Sequence, residues 1–150
     1  LLPPRHSTHR APRELGCWRA YERTRFCVED GSRRICFMVG SRSSKLDALM
    51  ARHHARRWAF ITASNPHSKR LSNEENIQRH AQLTAMIHSL GFDALAGEGI
   101  GEDPAWTPER SLMVLGIGEG KARSIGRHFR QLAIVVGHRG ERSRLVSTDG

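Results

Sequence analysis

The chain has 150 residues, of which 38% are apolar, and it carries a formal net charge of +9. This length suits one domain with its own hydrophobic core and is short for two. The apolar runs are too short to span a bilayer, so transmembrane helices are excluded and no membrane partner is expected. The basic excess favours polyanionic partners without identifying one.

The basic residues are concentrated at the two ends of the chain. Residues 1–57 contain 13 Lys and Arg against 5 Asp and Glu, and residues 118–150 contain 7 against 3. Residues 58–117 contain 4 against 7. The Pro- and Arg-rich residues 1–13 predict a disordered basic tail, and residues 14–147 predict a single domain. Because no signal-peptide hydrophobic region is present, we expect a cytoplasmic protein.

The cysteines and histidines predict neither a disulfide nor a metal site. Cys17, Cys27 and Cys36 form an odd count without a Cys-x-x-Cys spacing, so we expect reduced thiols. The nine histidines are scattered. The adjacent His53 and His54 would point about 100° apart on a helix and could not form a zinc-binding i, i+4 pair. We therefore predict no metal and no cofactor.

The N-terminal third predicts a helix, a hairpin and a second helix. Leu15, Trp18 and Tyr21 have the spacing of the apolar face of a short amphipathic helix. The turn DGS lies between the β-rich runs RFCVE and RRICFMVG, which is typical of a β-hairpin. The second helix, SSKLDALMARHH, begins with serines suited to capping.

The segment from Trp58 to Gly137 predicts the order strand, helix, strand, strand, helix, strand. RWAFITA, FDALAGEG, SLMVLGI and LAIVVG are strand-like, and RLVST predicts a further strand. A capping box at Ser72 starts a helix that continues to Leu90 and stops at Gly91, and EGKARSIGRHFRQ predicts the other helix. Right-handed crossovers then predict an α+β fold. Its core is a ferredoxin-like split βαβ unit (βαββαβ), a mainly antiparallel sheet with helices on one face, extended by the N-terminal helix, hairpin and helix.

In this topology several polar segments meet at one pole of the sheet. The end of AFITA, the start of the Ser72 helix and the loop 99–110 all lie there. Glu98 and Glu109 are the catalytic candidates, because a positioned carboxylate can act as a base. Ordinary structural roles stay open for Glu75 as a helix cap and for its i, i+4 neighbour Arg79. The predicted ligand-binding residues at this pole are Asn65, Glu75, Asn76, Arg79 and Trp106.

The glycine-rich run LGIGEGKA, residues 115–122, fails both templates for a phosphate-binding loop. The Rossmann pattern G-x-G-x-x-G fails because Lys121 stands where its third glycine belongs. The Walker A pattern fails because Leu115 replaces its first glycine and Ala122 replaces its hydroxyl residue. We predict a strand-to-helix turn at the pole opposite the polar residues.

Several separated segments together resemble a known family. RAYERTRF, WAFITASNPHSKRLSNEENIQR, LAGEG, WTPERSLMVLGI and AIVVG occur in the order typical of the bacterial family called domain of unknown function 3293. Members typically have tryptophan where Ser64 stands. The resemblance supports the order of the segments and draws attention to the polar residues around Asn65 and Pro66. It implies no reaction.

The sequence leaves three functions open and does not decide whether the protein is an enzyme. The first is binding of a small polar or nucleotide-like ligand at the polar pole. The second is nucleic-acid binding, in which the basic N-terminal region and one helix face contact phosphates. That face carries Arg123, Arg127 and Arg130, although the strands lack the exposed aromatics of an RNA-recognition motif. The third is docking to a partner protein without chemistry of its own.

Overall fold

The computed structural model describes residues 18–149, in which helices pack on a seven-stranded antiparallel sheet. A helical turn at residues 18–22 precedes the first strand, and a short 3₁₀ turn, Pro66–Ser68, follows the third. Within this range no helix has the length and hydropathy needed to cross a membrane. The other elements are β1 (Arg25–Asp30), β2 (Arg33–Phe37), α1 (Ser44–Arg52), β3 (Arg57–Thr62), α2 (Asn73–Ser89), β4 (Ala94–Ile100), β5 (Glu109–Leu115), α3 (Glu119–His128), β6 (Ala133–His138) and β7 (Arg144–Ser147).

The predicted α+β class is confirmed, and the sheet is larger than the predicted four-stranded core. The strand order is β2-β1-β4-β5-β3-β6-β7, and each neighbouring pair is antiparallel. The hairpin of β1 and β2 extends the sheet beyond β4, and β7 extends it beyond β6. The predicted tail at residues 1–13 lies outside the described residues.

The sheet is buried on both faces, because alternate residues of its central strands point to opposite sides. In β3, Trp58 and Phe60 belong to one hydrophobic cluster, and Ala59 and Ile61 belong to the other. Helices α2 and α3 share the cluster of Ala59 and Ile61. The extension helix α1 packs in the opposite cluster through Leu46, Leu49 and Met50.

The predicted start and stop signals of α2 are present in the structure. Ser72 Oγ accepts the Glu75 N–H, and the Glu75 carboxylate accepts the Ser72 N–H, each at 3.1 Å. Gly91, at φ 85°, follows the last turn in the left-handed region that glycine adopts without strain. The capping box thereby fixes the residue at which α2 begins.

The glycine-rich run forms a strand-to-helix turn. Gly116, at φ 81°, follows β5, and its N–H donates to the Arg57 carbonyl at 2.8 Å. Gly118 is the N-cap of α3. This turn lies at the end of β5 opposite Glu109, so it contributes nothing to the polar pole.

The prediction of reduced thiols is wrong for two of the three cysteines. Cys27 and Cys36 form a disulfide, with Cα atoms 4.0 Å apart. The hairpin register places them directly opposite each other. An odd cysteine count carries no information about register, and for that reason composition alone missed the pair. Cys17 lies outside the described residues.

We expect reduction of the Cys27–Cys36 bond to lower the free energy of unfolding. The bond joins residues separated by 9 positions. Cross-linking such a short loop lowers the conformational entropy of the unfolded chain, which raises its free energy by about 2 to 3 kcal/mol. Urea unfolding with and without dithiothreitol measures the change. The double variant Cys27→Ala/Cys36→Ala should not respond to the reductant, and an unchanged wild-type midpoint would contradict the prediction.

Candidate functional site

Asn65 connects the elements that meet at the polar pole. It follows β3 with a left-handed backbone (φ 49°, ψ 63°), which asparagine tolerates better than most residues. Its N–H donates to Asn76 Oδ1 at 2.9 Å. Its Oδ1 accepts from Asn76 Nδ2 and from the Leu71 N–H, each at 2.9 Å. The two asparagines thus bind each other reciprocally and fix the start of α2 against the end of β3.

The remaining polar group of Asn65 holds Glu109. Asn65 Nδ2 donates to Glu109 Oε2 at 2.7 Å, and Trp106 Nε1 donates to the same oxygen at 3.4 Å. Burial raises the pKa of the Glu109 carboxyl above its usual range, and the hydrogen bonds from Asn65 and Trp106 oppose that rise. Glu109 therefore keeps its proton to a higher pH than an exposed glutamate does.

The hydrogen-bond pattern favours one oxygen of Glu109 as the carrier of that proton. Asn65 Oδ1 accepts the Leu71 N–H, which fixes the orientation of the amide and leaves Nδ2 facing Glu109. Amide Nδ2 and indole Nε1 are donors only, so Oε2 accepts, which favours Oε1 as the oxygen that carries the proton of the neutral carboxyl. The two side-chain hydrogen bonds that hold the carboxyl both reach Oε2. A neutral Glu109 can therefore donate from Oε1.

Glu109 lies in the wall of a cavity of about 680 Å³. We call it the groove cavity. It is bounded by the N-terminal half of α2, by β4 and β5, and by the loop 101–108. Of the predicted residues, it brings together Asn65, Asn76, Glu98, Trp106 and Glu109. Glu98 also forms an ion pair, with Oε1 at 3.6 Å from Arg34 Nη2. Ser64 is buried and lines the same wall.

Two further side chains at the groove cavity were not predicted as site residues. His80 lines it, and its Nδ1 is buried with no hydrogen-bond partner in the described part of the chain. Burial and then the Arg110 charge lower the pKa of His80, which favours the neutral imidazole. Arg70 lies over the Trp106 ring at 4.4 Å and donates to the Ala105 carbonyl at 2.9 Å. The feature of the sequence that could have identified His80 is its position, because it is a polar residue on the core-facing stripe of α2.

Two predicted ligand-binding residues have other contacts. The Arg79 guanidinium donates to the carbonyls of Ala63 and Phe129, so it joins the end of β3 to the end of α3. Glu75 is exposed and makes the capping box with Ser72. Among the described residues, neither side chain lines the groove cavity.

The arginine face of α3 also contacts the chain itself. Arg123 Nε donates to the Ser147 carbonyl at 2.9 Å, and Arg127 donates to the Thr148 carbonyl. Arg130 follows α3 with a left-handed backbone at φ 58°, and its carbonyl accepts the His67 N–H. The first two arginines thus hold the segment around β7 against α3.

Comparison with known protein families identifies the central part of the chain. A family model described as "Protein of unknown function (DUF3293)" matches residues 61–134. This span contains Asn65, Asn76, Trp106 and Glu109. No curated protein and no solved structure matches the chain.

We expect Arg79→Lys to destabilise the fold. Lysine cannot donate from two separated nitrogens to the Ala63 and Phe129 carbonyls, which should cost about 1 to 3 kcal/mol. Urea unfolding measures the loss. Arg110→Lys, at an exposed position, is the matched control and should leave the midpoint close to that of the wild type. Equal midpoints for Arg79→Lys and Arg110→Lys would argue against a structural role for Arg79.

We expect Glu109→Gln to stabilise the protein at alkaline pH. Because folding raises the pKa of Glu109, its ionisation favours the unfolded chain, and stability is lost as the pH rises through that raised value. Glutamine still accepts from Asn65 and Trp106 but cannot ionise. The variant should exceed the wild type in melting temperature at pH 8, and the difference should shrink toward pH 4.5.

Thermal unfolding of both proteins across this pH range provides the test. Glu98→Gln also removes one negative charge, but from the partly exposed ion pair with Arg34, and it should keep the wild-type loss of stability with rising pH. A constant difference between Glu109→Gln and the wild type at every pH would contradict the prediction.

Proposed function

The chain belongs to the DUF3293 family of proteins of unknown function, and we propose that it binds a small polar ligand in the groove cavity, where Glu109 exchanges a proton with that ligand. One observation carries the proposal. Asn65 and Trp106 hold Glu109 through Oε2, in the wall of a cavity large enough for a metabolite. A mostly buried carboxyl with a raised pKa in a cleft is typical of functional sites.

The size and polarity of the groove cavity support a small polar or nucleotide-like ligand. Its volume of about 680 Å³ falls within the range of roughly 300 to 1,000 Å³ that is usual for small-molecule sites. Glu98 and Arg110 are cross-strand partners on β4 and β5, so charges of both signs lie in one wall. Asn76 adds an amide. These groups suit a ligand with several donors and acceptors.

The backbone beside the cavity also supports a site. Asn65, His67 and Ser68 all have φ between 49° and 60°. Residues in the left-handed region cost about 1 to 3 kcal/mol each and cluster at active sites and ligand clamps. Three such residues within four positions indicate that this segment is shaped for a purpose other than stability.

The chemistry that follows is acid–base catalysis or hydrogen-bond stabilisation of a ligand oxygen. Protonated Glu109 donates from Oε1 to an acceptor on the ligand, and the ionised carboxylate takes the proton back. Asn65 and Trp106 keep the carboxyl oriented during both steps. The indole of Trp106 also provides a flat wall against which a ring can lie.

The finer description of the fold belongs to the same proposal. We propose that β4, β5, β3 and β6 form a ferredoxin-like core with α2 and α3. The strand order and the antiparallel pairing of these four strands support this description. The cluster shared by α2 and α3 agrees with helices on one face of that core.

A thermal-shift screen of the wild type against nucleosides, nucleotides, sugars and amino acids tests the proposal. We expect at least one class to raise the melting temperature. Ala96, which lines the groove cavity from an exposed position on β4, should abolish the shift when changed to leucine. Ala81→Leu, at an exposed position on α2 outside the cavity, is the matched control. In Glu109→Gln the shift should lose its pH dependence.

Two outcomes would contradict the proposal. The first is a screen in which no compound class stabilises the wild type. The second is a shift that persists in Ala96→Leu. Salt-sensitive binding of RNA or DNA by both the wild type and Ala96→Leu would instead favour the nucleic-acid alternative. That alternative has less support, because Arg123 and Arg127 already donate to the chain's own carbonyls.

A further inference from the structure

A second cavity, of about 530 Å³, lies on the face of the sheet opposite α2. We call it the apolar cavity. One end is formed by Phe26, Phe60 and Val135, which belong to the hydrophobic cluster that contains α1. The other end is formed by four residues that also line the groove cavity, namely Asn65, Trp106, Glu109 and Ser111. The two cavities therefore share a polar wall.

The position of Glu109 explains why both cavities reach it. It is the first residue of β5, and it lies beside the end of β3 rather than within the covered middle of the sheet. Further along β4, the two faces separate. Ala96 lines only the groove cavity, and Gly99 lines only the apolar cavity. A molecule bound at Glu109 can thus extend along either face.

We infer that the apolar cavity holds one uncharged part of the ligand, an aromatic or branched aliphatic group, next to a carbonyl or similar acceptor placed at Glu109 Oε1, while the polar part lies in the groove cavity. This inference rests on the proposed function, because it assumes that the ligand contacts Glu109. It adds the chemical class of this part of the ligand and the face of the sheet that receives it. The contact is a hydrogen bond from Oε1–H to the ligand acceptor, from which the proposed proton exchange starts.

The hydrogen bonds of Glu109 indicate that the ligand presents an acceptor to it. The Oε2 atom of Glu109 already accepts from Asn65 and Trp106. We therefore expect the proton of the neutral carboxyl on Oε1, where it points away from both residues. A ligand donor placed there would meet another donor. A carbonyl oxygen would complete the hydrogen bonding of the carboxyl.

The residues that line the apolar cavity indicate that the ligand group bound there is uncharged. The charged residues among them besides Glu109 are Arg23, Glu102 and Asp103, all exposed, and Arg23 and Glu102 lie 3.7 Å apart as an ion pair. The inner part of the wall carries the rings of Phe26 and Phe60, packed edge to face at 5.2 Å, and uncharged polar side chains such as Gln131. An ion held against these inner groups would lose hydration without gaining a counter-charge.

Gly99 keeps the apolar cavity accessible. A Cβ atom at this position would lie 3.5 Å from Thr24 Cγ2 and 3.6 Å from Phe26 Cε1, which is ordinary van der Waals contact. A larger side chain can therefore be accommodated by the backbone and would extend into the cavity. Gly99→Val narrows the apolar cavity, and Ala96→Leu narrows the groove cavity from the same strand.

The test uses three probes and NMR titration of the wild type and both of these variants. Benzamide combines an uncharged ring with a carbonyl, acetamide has the carbonyl without the ring, and benzoate has the ring with a charge. We expect benzamide to bind the wild type about tenfold more tightly than acetamide, because burial of a ring contributes 1.4 kcal/mol or more. Benzoate should bind more weakly than benzamide. Gly99→Val should weaken benzamide about tenfold and leave acetamide unchanged.

Three outcomes would overturn the inference. Equal affinities for benzamide and acetamide, with no effect of Gly99→Val, would place the ligand in the groove cavity alone and leave the proposed function intact. If Glu109→Leu binds benzamide as tightly as the wild type does, benzamide does not contact the Glu109 carboxyl. If no probe binds at concentrations of tens of millimolar, the apolar cavity does not bind the ligand, whatever compounds the thermal-shift screen finds. If Gly99→Val does not fold, Ala133→Val narrows the same cavity from β6.

Discussion

The reciprocal hydrogen bonds between Asn65 and Asn76 are the interaction on which the polar pole depends. They join the end of β3 to the first turn of α2, and Arg79 of the same helix adds a bond to the Ala63 carbonyl. They also occupy Asn65 Oδ1, which leaves only Nδ2 available to Glu109. The hydrogen bond that holds the Glu109 carboxyl thus depends on an amide pair next to it.

This arrangement costs stability in two ways. Glu109 loses hydration when it is ionised in its mostly buried position, and the segment after β3 contains residues in the left-handed region. The chain could avoid the first cost with glutamine and the second with glycine. Costs of this kind are expected where a site must keep a reactive group in a defined orientation. The hydrophobic clusters on both faces of the sheet offset them.

Much of the pole could be predicted from sequence, because topology alone brings strand ends and helix starts together. The capping box at Ser72 gave the start of α2, and crossover handedness placed Asn65, Asn76, Trp106 and Glu109 at one end. Side-chain direction was harder to predict. Arg79 turns toward two backbone carbonyls, and Arg70 lies on Trp106 only because the loop 101–108 folds back. The Cys27–Cys36 bond depends on hairpin register, which a count of cysteines does not contain.

The contacts of Arg123 and Arg127 have a consequence for variation among related chains. Both side chains bind main-chain carbonyls near the end of the described residues. Every amino acid supplies a carbonyl, so the residues at 147 and 148 could change without loss of these bonds. Arg123 and Arg127 cannot be replaced in the same way, because only a long side chain with several donors reaches these carbonyls from α3. A basic face of this kind would stay constant because of bonds within the chain, a pattern easily mistaken for selection by an external anion.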